Sequence, residues 1–243
     1  MPLYGLIGYP LSHSFSKKYF EDKFEREGLT NCSFQNFSIP TIADLSAVIK
    51  NNADLMGLAV TIPYKQEVLS FLHAAAIPEG LNACNCIKVK DGQLTGYNTD
   101  YIGFEKSFKP QILPHHKAAL VLGNGGATAA VLFVLKKMNI TYKVVSRKLH
   151  AGTDYTYENI TPEIIAAHTV IINTTPLGMY PAVEGYPPLP YHAIAAHHYL
   201  YDLVYNPTQT IFLQKGERQG AIIKNGADML ALQAEENWKI WNS

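Results

Sequence analysis

The sequence has no excess of either charge. Its 243 residues carry 20 Lys plus Arg and 20 Asp plus Glu, a formal net charge of zero at pH 7. That balance offers no basic footprint for nucleic acid and no polybasic patch for a membrane surface. No apolar run approaches the roughly 18 residues of a membrane-spanning helix, and no basic segment leads into an apolar one as in a secretory signal. A cytoplasmic protein without nucleic-acid or membrane partners is expected. Cysteine is scarce. Cys32, Cys84 and Cys86 are too few for a disulfide framework or a four-cysteine zinc site. The pairs His115-His116 and His197-His198 have no Cys, Asp or Glu cluster beside them, so they read as exposed histidines and no metal is expected. There is no internal repeat and no low-complexity segment.

What is present is ample for a packed core: 47% of residues are hydrophobic. The length allows one large domain or two small ones. Strand-like runs at Leu3–Ile7, Asn36–Ile39, Leu55–Thr61, Asn85–Lys90 and Gln93–Tyr97 alternate with helix-like runs at Glu21–Glu27, Ile42–Asn51 and Gln66–Ala75. This is the pattern of an α/β protein with a largely parallel sheet. Asp91-Gly92 between two short strands signals a hairpin. A polar, proline-marked stretch, Lys106 to Lys117, leads to a second α/β series. That series holds strands at Ala118–Leu122, Lys143–Ser146, Val170–Asn173 and Tyr199–Val204, with an apolar helix through Met138. Gly226–Trp241 reads as a helix with Leu230, Ala234 and Trp241 on one stripe and Gln233 beside it. Residues 1–100 and 101–223 are therefore expected to form separate domains.

Three segments carry chemistry. The first is Gly8-Tyr9-Pro10-Leu11-Ser12-His13-Ser14-Phe15-Ser16, where a strand turns into a helix bearing Phe20 and Phe24. Unpaired N–H groups at a helix start suit an anion, and the serines add donors for a carboxylate. Simple capping by Ser14 or Ser16 accounts for the same residues. The second is Gly123-Asn124-Gly125-Gly126 between a buried strand and a helix, the setting in which glycines let backbone N–H groups approach a pyrophosphate. Thr128 stands where the usual fingerprint has its third glycine, a departure expected to loosen helix–strand packing. The following strand ends in Ser146-Arg147-Lys148, not in the acid that holds an NAD ribose, so a 2′-phosphate and hence NADP is favoured. The third comprises Lys65 just past a strand end, Asn98-Thr99-Asp100, and Asn85. Alone, these read as a surface lysine, a helix cap and an uninformative amide.

Taken in order, the segments resemble the shikimate dehydrogenase family over nearly the whole chain. The motifs are Gly8 through Ser14, Val60-Thr61-Ile62-Pro63-Tyr64-Lys65, Asn85, Gly96-Tyr97-Asn98-Thr99-Asp100-Tyr101-Ile102-Gly103 and the glycine turn. Asn173-Thr174-Thr175-Pro176-Leu177-Gly178-Met179, Tyr201-Asp202-Leu203-Val204-Tyr205-Asn206-Pro207 and Asn225-Gly226 through Gln233-Ala234 follow. The resemblance implies an N-terminal α/β substrate domain and a C-terminal Rossmann-like NADP-binding domain. The C-terminal helix would return to the first domain, so that 1–100 and 224–243 form the catalytic domain. It implies reversible NADPH-dependent reduction of 3-dehydroshikimate to shikimate, in a monomer or homodimer. Lys65 and Asp100 would be the catalytic pair. Ser12 and Ser14 would bind the substrate carboxylate; Thr61, Asn85, Asp100 and Gln233 its hydroxyls; and Tyr205 would line the site. Gly123, Gly125, Gly126, Ala127, Ser146, Arg147, Lys148, Thr174, Met179 and Gly226 would bind the cofactor. Two departures stand out: Ala59 where the family usually has Asn, and Asn85-Cys86 where it usually has Asn-Thr. A dehydrogenase that also accepts quinate, and a nucleotide-sensing protein on the same scaffold, are the alternative readings.

Overall fold

The computed structural model describes residues 1–11 and 15–243. It divides into two compact units: Met1–Ile102 with Gln233–Ser243, and Gly103–Leu232. Among the described residues, no helix is long and apolar enough to cross a membrane.

The first unit contains β1 (Leu3–Gly8), α1 (Phe15–Arg26), β2 (Ser33–Ser38), α2 (Leu45–Asn51), β3 (Leu55–Val60), β4 (Ala74–Ala76), β5 (Cys86–Lys90) and β6 (Gln93–Tyr97). Its sheet runs β2-β1-β3-β5-β6-β4. The pairings of β1 with β2 and β3 are parallel. Those of β5 with β3 and β6 are antiparallel, the second because Asp91 (φ 50) and Gly92 (φ 73) turn the chain in the expected hairpin. One face packs Ile7, Leu58, Val60, Val68 and Ile87. The other packs Tyr4, Leu6, Phe20, Phe24 and Phe34 with Trp241. The Trp241 indole donates to the Ile87 carbonyl at 3.0 Å.

Gln66–Ala75 is not the helix its composition suggests. Glu67–Phe71 forms a 3-10 turn, and Ala74–Ala76 is extended. The alanines pair with Thr95–Tyr97 of β6, and the His73 N–H donates to the Leu94 carbonyl at 2.9 Å. Open hydrogen-bonding groups on β6 outweigh alanine's helix preference.

A helix, α3 (Asp100–Phe108), leaves the first unit. It extends into what reads from sequence as a polar linker, because Phe104 and Phe108 are fully buried and stacked 4.9 Å apart. The second unit continues with β7 (Ala118–Leu122), α4 (Thr128–Lys137), β8 (Thr141–Ser146), β9 (Tyr155–Thr156), α5 (Pro162–Ala167), β10 (Val170–Asn173), β11 (Tyr199–Asp202), α6 (Ile211–Arg218), β12 (Ile222–Lys224) and α7 (Ala227–Trp241). Its sheet, β12-β11-β10-β7-β8-β9, is parallel throughout. Leu120, Leu122, Val145, Ile171 and Leu200 are fully buried, as near-continuous apolar runs in a two-sided parallel sheet require. The last turns of α7, from Gln233, belong to the first unit.

His116 and His198 are buried, not exposed. The His116 Nδ1 accepts the Leu113 N–H at 3.0 Å, and the His198 Nδ1 accepts the Ala195 N–H at 3.0 Å. They serve as loop ties, and burial lowers both imidazole pKa values.

Candidate active site

In the first unit, three chain segments meet at the C-terminal end of β3. The Thr61 N–H donates to the Ile7 carbonyl at 3.0 Å, which brings the end of β3 against that of β1. The Cys84 N–H donates to the Lys65 carbonyl at 2.7 Å, and the Asn85 N–H to the Tyr97 carbonyl at 3.1 Å. These backbone bonds fix Lys65, Asn85 and the start of α3 relative to one another. Asn98 is the cap of α3: its Oδ1 accepts the Tyr101 N–H at 3.3 Å while its Nδ2 donates to the Ala83 carbonyl at 2.8 Å. Asp100, at the first position of the helix, is thereby released from capping.

The Lys65 Nζ donates to Asp100 Oδ2 at 2.6 Å. The Asn85 Nδ2 lies 2.9 Å from Asp100 Oδ1, 2.9 Å from Thr99 Oγ1 and 3.3 Å from Gln233 Oε1. Its two hydrogens are shared among three acceptors. In return the Asn85 Oδ1 accepts the Thr99 N–H at 2.6 Å. Thr99 and Asn237 complete the network, the threonine hydroxyl donating to Asn237 Oδ1 at 2.6 Å. Asn237 does not stand out in the sequence, since a helix-interior asparagine is ordinary, and Thr99 is legible there only as part of the Asn98-Thr99-Asp100 helix start. The side chains of Lys65 and Asp100 keep 25% and 15% of their surface exposed, so a solute can reach the pair. Ser12 and Ser14 lie outside the described residues. Ser16 falls inside α1, whose first residue is Phe15, so it is not the cap.

Ala59 and Cys86, the two departures noted above, are cross-strand partners in the β3–β5 register. Both are buried in the cluster around Trp241. An Asn–Thr pair would fill this place with an amide and a hydroxyl; here an apolar residue and a protonated thiol fill it together. Burial drives the Cys86 thiol pKa well above its usual value and that of Cys84 up to about 11. Neither is a thiolate nucleophile.

In the second unit, Gly123, Asn124, Gly125, Ser146, Arg147, Lys148, His150, Tyr157 and Thr174–Leu177 line a cleft of about 760 Å³. Gly123 has φ +110, a conformation that suits glycine, and its N–H donates to the Val145 carbonyl at 2.8 Å. A Cβ on Gly125 or Gly126 would meet nothing within 4 Å, which leaves the start of α4 open on that side. Thr128 does not loosen the packing. Its hydroxyl lies 3.3 Å from the Gly123 carbonyl and 2.8 Å from Thr174 Oγ1, tying the glycine turn to the loop after β10. Asn173 and Asp202 shape that loop. The Asn173 amide donates to Asp202 Oδ1 at 2.9 Å, and its oxygen accepts the Thr175 N–H at 3.1 Å. Burial raises the Asp202 carboxyl to about 6 against hydrogen bonds from Thr210, the Val204 N–H and Asn173.

The cleft thus gathers Gly123, Gly125, Ser146, Arg147, Lys148 and Thr174. The Ser146 hydroxyl is turned inward, donating to the Lys148 carbonyl. Gly126 and Ala127 occupy the turn before α4 but are not among the lining residues. Neither are Met179 and Tyr205, both exposed, nor Gly226. Gly226 has a packing reason of its own: a Cβ there would lie 2.2 Å from the Leu203 carbonyl oxygen. Asn124, His150 and Tyr157 join the lining without having been singled out in the sequence. The basic loop could have drawn attention to His150. Nothing local marks Tyr157, whose hydroxyl pKa burial pushes up to about 12 while Arg147 pulls it down.

An open helix start, a positive-φ glycine and two cations, with no carboxylate lining the cleft among the described residues, fit a dinucleotide carrying an extra phosphate. A profile of the shikimate dehydrogenase substrate binding domain matches residues 6–87. Shikimate dehydrogenase (NADP(+)) of Clostridium beijerinckii is 36% identical over 260 residues, 98% of this chain and 92% of the relative. Its counterpart in Methanococcus maripaludis is 33% identical over 263 residues, 98% and 91% respectively. The structure of shikimate 5-dehydrogenase from Thermus thermophilus in complex with NADP(H) and shikimate superposes with a TM-score of 0.86 at 27% identity, covering 99% of this chain and 93% of that one. On sequence and fold along nearly its whole length, the chain belongs to the shikimate dehydrogenase family.

Proposed function

We propose that this chain catalyses the reversible NADPH-dependent reduction of 3-dehydroshikimate to shikimate, as a cytoplasmic monomer or homodimer. The observation that carries the proposal is the Lys65–Asp100 pair at 2.6 Å, braced by Asn85 and Gln233. NADPH, when bound, supplies the hydride that converts the C3 carbonyl of 3-dehydroshikimate to an alcohol. Negative charge develops on the carbonyl oxygen as the C–H bond forms. The Lys65 ammonium stabilises that charge and gives it a proton. Asp100 Oδ2 holds Lys65, and Asn85 holds Asp100 through Oδ1. Remaining acceptor capacity on Asp100 and the amide of Gln233 suit ring hydroxyls. Ser12 and Ser14 are assigned the carboxylate, and Tyr205 the edge of the site. Arg147 and Lys148 suit the 2′-phosphate of NADP, with Gly123, Gly125, Gly126 and Ala127 at the pyrophosphate. Met179 is assigned to the nicotinamide, and Thr174 and Gly226 to cofactor binding.

The test is an assay of the purified protein for NADPH formation with shikimate, repeated with NAD and with quinate. Turnover of shikimate with NADP is expected. Absence of shikimate turnover with either cofactor would refute the proposal, and faster turnover of quinate would replace the substrate.

A further inference from the structure

His150 lies where the two phosphate-binding segments of the second unit meet. It lines the cleft beside Arg147 and Lys148. Its Nδ1 is 3.3 Å from Asn124 Nδ2 in the glycine turn and 3.1 Å from the Ala151 carbonyl. The backbone beneath it is fixed: the His150 N–H donates to Thr153 Oγ1 at 3.0 Å, and that hydroxyl donates back to the His150 carbonyl at 2.8 Å. A proton on Nδ1 donates to the Ala151 carbonyl, and the Asn124 amide, turned over so that its oxygen replaces Nδ2 beside the ring, accepts from the same N–H. The ring is then held by one edge. Among the described residues, no hydrogen bond engages the opposite nitrogen, Nε2.

We propose that His150 is a specificity-determining residue for NADP, its Nε2–H donating to the 2′-phosphate alongside Arg147 and Lys148. The proposal rests on the NADP reading of the cleft. An imidazole held at Nδ1 can accept a second proton at Nε2 and become a cation, and histidine changes charge between about pH 5 and 8. The charged and titratable groups lining the same cleft are Arg147, Lys148 and Tyr157, with no carboxylate among the described residues. Asp154, further along the loop, is paired with Lys143 at 2.7 Å.

The experiment measures binding calorimetrically with 2′,5′-ADP and with 5′-AMP, which differ only in the 2′-phosphate. Wild type and His150→Gln are compared at about pH 6 and pH 8, on either side of the usual histidine titration. Because the phosphate also titrates near pH 6, the comparison lies between the proteins and not between the pH values. His150→Gln should weaken 2′,5′-ADP by roughly tenfold at the lower pH, the scale of a hydrogen bond to a charged group, and far less at the higher. Binding of 5′-AMP should be unchanged at both. Equal affinities of the two proteins for 2′,5′-ADP at the lower pH would overturn the proposal. So would an equal loss at both pH values or an equal loss for both ligands, which would make His150 a scaffold for Asn124. If wild type itself did not prefer 2′,5′-ADP over 5′-AMP, the NADP reading would fail, which is a different result from a variant that behaves like wild type.

Discussion

Replacing Lys65 by Ala removes the ammonium and leaves the rest of the network in place. Asp100 loses the contact at 2.6 Å but keeps Asn85 at 2.9 Å, and 15% of its side chain reaches solvent. The exposed carboxylate can recruit water, so the stability loss should be well below the about 3–5 kcal/mol of breaking a fully buried pair. The chemical step should suffer more. General acid–base assistance is worth about 10²–10⁴ in rate, or roughly 2.7–5.4 kcal/mol of barrier. The effect should fall on kcat, because the charge on the substrate oxygen appears only in the transition state. Shikimate binding, measured by calorimetry, should stay within a few fold. Asp100→Asn should lower kcat and weaken binding together, since that carboxylate is assigned to a ring hydroxyl as well as to Lys65. The double variant should lose less than the product of the single losses, because the two groups act as a unit. Steady-state kinetics on the three variants, with circular dichroism to establish folding, decides the matter. A folded Lys65→Ala enzyme with near-wild-type kcat would refute the mechanism even if shikimate oxidation were real.

Arg147→Ala should raise KM for NADP by roughly tenfold or more, the scale of a lost charge-assisted hydrogen bond, and leave KM for NAD nearly unchanged; equal losses for both would assign Arg147 to the pyrophosphate or the fold. Ala59→Asn alone should destabilise the first unit by about 1–3 kcal/mol, because it places an amide in an apolar cluster, whereas adding Cys86→Thr should recover part of that loss. Denaturant melts of both singles and the double give the coupling, and additive effects would show that the cross-strand pair is not a unit. His198→Asn should flatten the fall in stability on acidification. The folded imidazole has a lowered pKa, so the unfolded chain takes up the proton first, near pH 6.5; this contribution is intact above that value and is lost as the pH falls through it. Asp202, raised to about 6, pulls in the opposite direction, so the measurement is the difference in Tm between variant and wild type across pH 5 to 8, and an unchanged slope would clear His198 of the effect.

The sequence by itself determined the α/β class and the place of each chemical motif along the chain. Buried strands such as Val170–Asn173 are apolar up to their last residue, and Asp91-Gly92 can adopt the positive φ angles of a tight hairpin, so local chemistry is sufficient there. The glycine turn and the basic Arg147-Lys148 were legible for the same reason, since backbone freedom and charge are properties of the residues themselves. Position alone could not separate two roles within Asn98-Thr99-Asp100. Only the fold made Asn98 the cap, through Ala83 and Tyr101, and turned Asp100 toward Lys65, 35 positions away in sequence. Gln66–Ala75 followed the same logic: its alanines are extended because β6 offers unpaired backbone groups, a partner that no helix-period reading contains. Asn237, Tyr157 and His150 were invisible or unremarkable because their roles come from neighbours 138, 10 and 26 residues distant: Thr99, Arg147 and Asn124 respectively. Ala59 and Cys86 looked like two separate losses of polarity. The register of β3 against β5 makes them one substitution, because side chains opposed across a sheet share the same space and must agree in polarity.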